Sequence, residues 1–243
     1  MEDIGKVWYY TLGQGRVDIS ERSLWTVTST DISILKTTYI VMTVLLLIGW
    51  LVGRNPRLVP TYPQLLMEWM TGFVDYLCQE SLGKTLGRSF TSFITTLFLF
   101  LLLCNYSGVV FLEEPTLDIN TPLALGLMGF FIAVYQAMKQ KGFFGYFWEL
   151  FWEPIPVIMF PLNVIGELSK VVSISFRLFG NIMGGAVIIK VVSWLVGYIL
   201  LPVGLVAFFG IFVGTIQAFV FTMLTLAYIA QGIEVEEEEG GAA

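Results

Sequence analysis

Five apolar runs constrain this chain more than any other feature. They are Ile32 to Val52, Phe90 to Leu112, Thr121 to Met138, Val157 to Leu200 and Val203 to Ile233. About 20 apolar residues, rising 1.5 Å each, cross a hydrocarbon core of about 30 Å as a helix. The expected fold is therefore an all-α integral membrane protein with about five transmembrane helices. Composition agrees: 13% of residues are charged and mean hydropathy is +0.78, where soluble domains carry about 25% charged residues. The last two runs are longer than a crossing needs. As straight helices they would measure about 60 Å and about 45 Å. Apart from Pro161 in its first turns, the fourth run contains no proline, and Pro202 separates it from the fifth. Neither run holds a polar break for a second loop, so the spacing predicts a long, strongly tilted helical hairpin.

The segments between the runs set the order in the membrane. Residues 1–31 are polar with scattered aromatics (Trp8, Tyr9, Tyr10, Trp25), which favour the headgroup level. Between Tyr62 and Ser81, Leu65, Leu66, Trp69, Met70, Phe73, Val74 and Leu77 recur at helical spacing, interrupted by Glu68, Asp75 and Glu80. That pattern predicts an interfacial amphipathic helix, followed by a glycine-bearing loop with Lys84 and Arg88. With alternating crossings, Arg54, Arg57, Lys84, Arg88, Lys139 and Lys141 fall on one side. The loop Glu113 to Asp118 lies on the other and has no Lys or Arg. The positive-inside rule then puts the N-terminus outside and the C-terminus in the cytoplasm.

The chain thus divides into an extracytoplasmic arm (1–31), three membrane helices with interfacial segments (32–153), the hairpin (154–233) and an acidic cytoplasmic tail (234–243). The first thirty residues have no basic segment followed by an apolar one, so no cleavable signal is expected. There is no histidine, which removes the commonest general base and metal ligand. Cys78 and Cys104 have no metal or redox spacing. No metal, no cofactor and no nucleic-acid partner are expected.

One charge stands out inside the hairpin. Arg177 sits in an apolar run with Glu167 as its nearest acid, ten residues or about 15 Å away along a helix. Burying such a charge in hydrocarbon costs a few kcal/mol or more, roughly 3 to 10. Helical stepping puts Gly166, Lys170, Ser173, Arg177, Asn181 and Gly184 on one face. On the last helix Gly210, Gly214, Gln217, Phe221 and Tyr228 share another. Gly180–Gly184 and Gly210–Gly214 are small-xxx-small pairs, which also serve plain helix packing. Gln217 also fits a simple interhelical hydrogen bond. The two faces either meet, bringing Gln217 near Arg177, or border a surface for another subunit.

The run Ser175 to Asn181, SFRLFGN, followed by Gly214 to Ile229, GTIQAFVFTMLTLAYI, resembles subunit a of the F-type ATP synthases in its bacterial and chloroplast style. The likeness is strong over the last third of the chain and looser before it. It implies a non-catalytic stator that forms two ion half-channels for protons or sodium. Its partners would be the c-subunit ring, b-type peripheral stalk subunits, the remaining F1Fo subunits and the bilayer. The resemblance places the ion-translocation role on Arg177, Asn181 and Gln217. Glu167, Lys170, Ser173 and Asp118 are expected at a channel mouth or in support, and Gly180, Gly184, Gly210 and Gly214 against the rotor. A bacterial inner membrane is the expected location, with an organellar energy-coupling membrane as the other option.

The chain departs from proton-translocating relatives at two positions. Ala186 stands nine residues after the arginine, where a Glu or His is common, and Gly210 stands seven before the glutamine, where others carry His. From Leu168 to Gly232 there is no Asp, Glu or His, so sodium coupling stays open beside proton coupling. The competing function is a secondary transporter that binds an anionic substrate at Arg177. It lacks the internal repeat and the paired helix breaks such folds use. An intramembrane enzyme would need a catalytic constellation that these residues do not offer.

Overall fold

The computed structural model of the protein describes residues 29–54, 62–110, 112–151, 156–196 and 200–239. Among them no strand occurs. Helix α1 spans Ser29–Arg54, α2 Tyr62–Ser107, α3 Asn120–Phe151 and α4 Pro156–Val196. Short 3-10 turns, Gly108–Val110 and Pro115–Leu117, lie between α2 and α3. Helix α5 (Leu200–Ala207), a π-helical segment (Phe208–Val213) and α6 (Gly214–Glu239) then follow one another directly. Five helical stretches are long and apolar enough to span a membrane, among them Ile165–Leu195 and Val203–Gln231 in the hairpin. The expected count therefore holds. The expectations for residues 1–28, including the four aromatics of the arm, and for Arg57 lie outside the described residues, as do residues 240–243.

Two of the helices turn corners at glycine. Gly83 has φ 76° and ψ 166°, and Gly142 has φ 75° and ψ 157°. A residue with a Cβ avoids that region, whereas glycine enters it at little cost. A straight helix would separate Asp75 from Thr91 by about 24 Å. Instead the Thr91 hydroxyl donates to Asp75 Oδ1 at 2.6 Å, so α2 doubles back at Gly83. The loop expected around Lys84 and Arg88 is helical, because Gly83 alone makes the turn. The first arm of α2 divides its apolar residues, with Leu65, Leu66 and Trp69 exposed. Val74, Cys78 and Leu82 are buried against the bundle, and the Phe73 ring stacks on Phe219 of α6 at 6.3 Å.

The core lies where α2, α3, α4 and α6 meet. Val74, Cys78, Leu82 and Ile94 of α2 pack with Ala133 of α3 and with Leu226, Ile229 and Ala230 of α6. A second cluster joins Leu97 and Leu101 of α2, Ile174 and Leu178 of α4, and Ala218 and Phe221 of α6. Small residues let α3 come close to both long helices. A Cβ on Gly126 would meet Ser175 Oγ at 2.7 Å, and one on Gly129 would meet Thr225 Cγ2 at 2.9 Å. Ser175 Oγ lies 3.1 Å from the Pro122 carbonyl and 2.8 Å from that of Val171, so its hydroxyl serves the α3–α4 contact. Helix α1 stands at the edge, with Leu46, Trp50 and Leu51 exposed, as lipid in place of water permits.

The hairpin keeps its expected length. Helix α4 runs for 41 residues without a break, about 60 Å, and fits a bilayer only by strong tilt. Two details differ from the expectation. The last helix is not uniform, because Phe208–Val213 widens to a π turn. Helix α6 also continues to Glu239, so the acidic tail begins as a continuation of the helix.

Candidate functional site

Arg177 is exposed on the outer face of α4. Behind it, Ile174 and Leu178 are buried in the core and fix the rotation of the helix. Ser173 and Asn181 share its exposed face. Gly166, Gly180 and Gly184 have open space where a Cβ would stand. This face is thus small, polar and uncovered. Among the described residues no carboxylate lies within ion-pair distance of Arg177. Glu167, its nearest acid in sequence, instead pairs with Lys170 at 2.7 Å.

Two polar groups flank Arg177 along the hairpin. Toward the chain terminus, Lys170 Nζ donates to Glu167 Oε1 at 2.7 Å and to Gln231 Oε1 at 3.3 Å. It also lies 5.6 Å from the centroid of the Tyr228 ring, a cation–π distance. In the other direction, one turn from Arg177, Asn181 Nδ2 donates to Gln217 Oε1 at 2.6 Å. Gln217 is buried and lies across from α4, so this bond ties the two long helices together.

The Asn181–Gln217 pair forms one wall of a cavity of about 90 Å³. Asn105, Gly108, Val109 and Glu114 come from the end of α2 and the loop after it. Ala186 and Ile189 come from α4, and Phe209, Gly210 and Gly214 from the π segment and α6. Several hydrogen bonds hold this junction. Asn105 donates to the Gly214 carbonyl at 2.9 Å and accepts from Thr116 at 3.3 Å, and the Tyr106 and Thr215 hydroxyls pair at 2.8 Å. Burial pushes the Glu114 carboxyl up to about 7, since the charged form loses hydration there. Glu114 occupies the N-cap of the turn Pro115–Leu117 without using its side chain as a cap. The side chain packs over Gly108, where any Cβ would collide with its carboxylate.

The structure therefore joins some of the residues picked from sequence and separates others. It unites Asn181 with Gln217, and Glu167 with Lys170. Arg177 lies between the two groups along α4, and among the described residues no hydrogen bond joins it to Gln217. Asp118 is absent from the cavity lining. Its carboxylate accepts from the Asn120 backbone N–H at 3.1 Å and from the Asn120 side chain at 3.0 Å, so it shapes the start of α3. Gly210 and Gly214, expected against the rotor, both have close neighbours within this chain. Gly210 abuts the side chain of Val109, and Gly214 is buried, with a Cβ position 3.0 Å from Asn105 Cβ. Their small size admits neighbours from this same chain. Sequence reasoning passed over Asn105 and Glu114, which are distant in sequence from the hairpin. The only local signal was an acid directly before a proline in a short loop.

Comparison with known proteins bears directly on this arrangement. Residues 35–230 match the family described as ATP synthase A chain. The chain is also similar to the ATP synthase subunit a, sodium ion specific, of Propionigenium modestum. The two are 35% identical over 218 residues, which cover 83% of this chain and 74% of the relative.

Proposed function

The chain belongs to the ATP synthase A chain family, and from that premise we propose that Arg177 is its fixed charge at the rotor, set between two offset ion paths. The protein is the ion-translocating stator subunit a of the Fo sector, a multi-pass membrane protein. It works with the c ring and the other F1Fo subunits and performs no catalysis itself. The transporter alternative, with an anionic substrate at Arg177, gives way to this membership.

One observation carries the assignment of Arg177. It is exposed on an uncovered face whose glycines leave open space, and no described acid of its own chain lies within ion-pair distance. Its counter-ion then comes from outside the chain. A guanidinium stays protonated and is more weakly hydrated than an ammonium. It attracts each arriving rotor carboxylate and favours the ionised form. At 4 Å such a pair is worth about 4 kcal/mol at an effective dielectric of 20, and a dry site would lock the ring. Gly180 and Gly184 admit both the rotor helix and water.

The two flanking groups suit separate paths. Asn181 and Gln217 lead to the loop side, while Lys170, Glu167, Gln231 and Tyr228 lie on the side of the C-terminus. A positive charge between them opposes a direct leak. Charge distribution supports an outside N-terminus and a cytoplasmic C-terminus, in a bacterial inner membrane. Sodium coupling draws support from the name of the relative and from the absence of Asp, Glu and His between Leu168 and Gly232.

The test is Arg177→Gln in the assembled complex, with ATP-driven ion uptake measured in vesicles. Coupled uptake should disappear while ATP hydrolysis by the soluble sector persists. Intact pumping would refute the assignment. Acceleration of hydrolysis by sodium at fixed pH would identify the ion as sodium, and its absence as the proton.

A further inference from the structure

We infer that Glu114 is the cation-binding carboxylate of the loop-side path, taking a proton or sodium ion from water beside residues 112–119 and releasing it into the cavity that Asn181 and Gln217 also line. This rests on the stator reading above and adds a residue to it.

The geometry carries the inference. Between Leu168 and Gly232 the hairpin supplies no Asp, Glu or His. Glu114 is the carboxylate among the residues lining the cavity that Asn181 and Gln217 also line. At about 90 Å³ that cavity has room for several waters, each needing roughly 10–15 Å³. Ala186 and Gly210 line this same space and carry no ionisable group, so a carboxylate from the loop reaches where the helices offer none. A half-buried acid with no capping role and no ion-pair partner among the described residues is costly to keep without a task. Its seat is also built. Gly108 leaves the space that the carboxylate occupies, while Asn105 pins the loop to Gly214 and Thr116. Asn181 then lies one helical turn from Arg177, which completes a route from the loop to the rotor face.

The groups around Glu114 leave its charge uncompensated by any described cation. Helix α2 presents the Cys104 thiol, on which Glu114 acts electrostatically, and α4 and α6 present amides and apolar side chains to the cavity. Glu113, its neighbour, is exposed and outside the cavity. A carboxylate in this setting takes up a proton by forming an O–H bond, which breaks again when the proton passes to water in the cavity, or it holds a sodium ion together with the amide oxygens; no other bond in the protein changes.

The experiment uses the assembled F1Fo complex in vesicles, carrying Glu114→Gln, Glu114→Asp, Glu113→Gln or Arg177→Gln. ATP synthesis and ATP-driven uptake are followed while pH is varied at fixed sodium, and sodium at fixed pH, on one side at a time. Glu114→Gln should raise the half-saturating concentration of the coupling ion about tenfold or more, on the loop side alone. Glu114→Asp should recover most of that loss, and Glu113→Gln should match the unmodified complex. The arm in which the dependence moves, pH or sodium, identifies the ion carried. Unchanged half-saturation in Glu114→Gln, with Arg177→Gln inactive, overturns the inference and leaves the stator reading standing. Full pumping by Arg177→Gln overturns the stator reading itself. Should Glu114→Gln fail to assemble, Gly108→Ala displaces the carboxylate without removing it. The same one-sided rise is then expected, and an unmoved dependence overturns the inference.

Discussion

The two polar groups on either side of Arg177 are built in opposite ways. On the side of the C-terminus, Lys170, Glu167, Gln231 and Tyr228 come from the two hairpin helices, and the Lys170–Glu167 pair is more than a third exposed at both partners. On the loop side, Asn181 and Gln217 come from the hairpin, but the carboxylate is supplied by a loop between two other helices and is half-buried. One group is therefore solvated and tolerant, whereas the other depends on close packing. The difference predicts that equal perturbations will have unequal effects on the two sides.

The largest effect on folding is expected from glycines that the sequence makes look alike. Gly184 on α4 has open space at its Cβ position, while Gly214 on α6 has Asn105 Cβ at 3.0 Å. Gly214→Val should destabilise the chain by about 3 kcal/mol, because overpacking forces apart the α2–α6 junction. Thermal unfolding in detergent would register it. Gly184→Val should leave the unfolding midpoint nearly unchanged and instead reduce pumping, since its extra bulk meets only the partner. Equal midpoints for the two variants would erase the distinction between a filled and an open stripe.

A smaller effect should follow pH on the loop side alone. Glu114 has its carboxyl raised by burial from an ordinary value of 4.5 to about 7. Below the unfolded value both states hold the proton, and the site costs nothing. As pH rises from there to about 7, the unfolded chain has released its proton while the folded chain still retains it, so stability falls through that window. Above the window the full penalty remains. With water in the cavity screening the charge, the loss should be about 2 kcal/mol. Unfolding midpoints measured from pH 5 to pH 8 should decline, and Glu114→Gln should flatten the decline. Glu167→Gln should not alter it.

Residue spacing explains how much of this was legible beforehand. Apolar runs of 20 residues or more state their own helices, so the spans and the hairpin could be read directly. Arg177, Asn181 and Lys170 lie on one helical face, and a period of 3.6 residues finds such faces. That period says nothing about which way a face points, which is why the α4 and α6 glycines looked equivalent. Nor does it cross a loop: Glu114 and Gln217 are 103 positions apart, by 217 − 114. Asp118 was expected, with Glu167, at a channel mouth or in support. Its bonds to Asn120 give it a local structural task that sequence does not display. Gly83 was recognised as a loop residue, but its positive φ turns a helix back on itself within one residue.

Glu167→Gln is the mildest of these changes and tests the tolerant side. Glu167 is the acid nearest Arg177 in the hairpin, and its removal would matter greatly if it balanced that charge. The structure gives it to Lys170 at i+3, partly exposed, where an ion pair contributes less than about 1 kcal/mol. The unfolding midpoint should therefore shift little, and Lys170 keeps its contacts with Gln231 and Tyr228. ATP-driven uptake should stay within about twofold of the unmodified complex, since a loss of that size corresponds to less than 1 kcal/mol. A loss as complete as that expected for Arg177→Gln would mean that Glu167 and Arg177 act as a unit. The acid partner of the arginine would then lie within the chain after all, and the uncovered face of α4 would lose its main reason to await a rotor carboxylate.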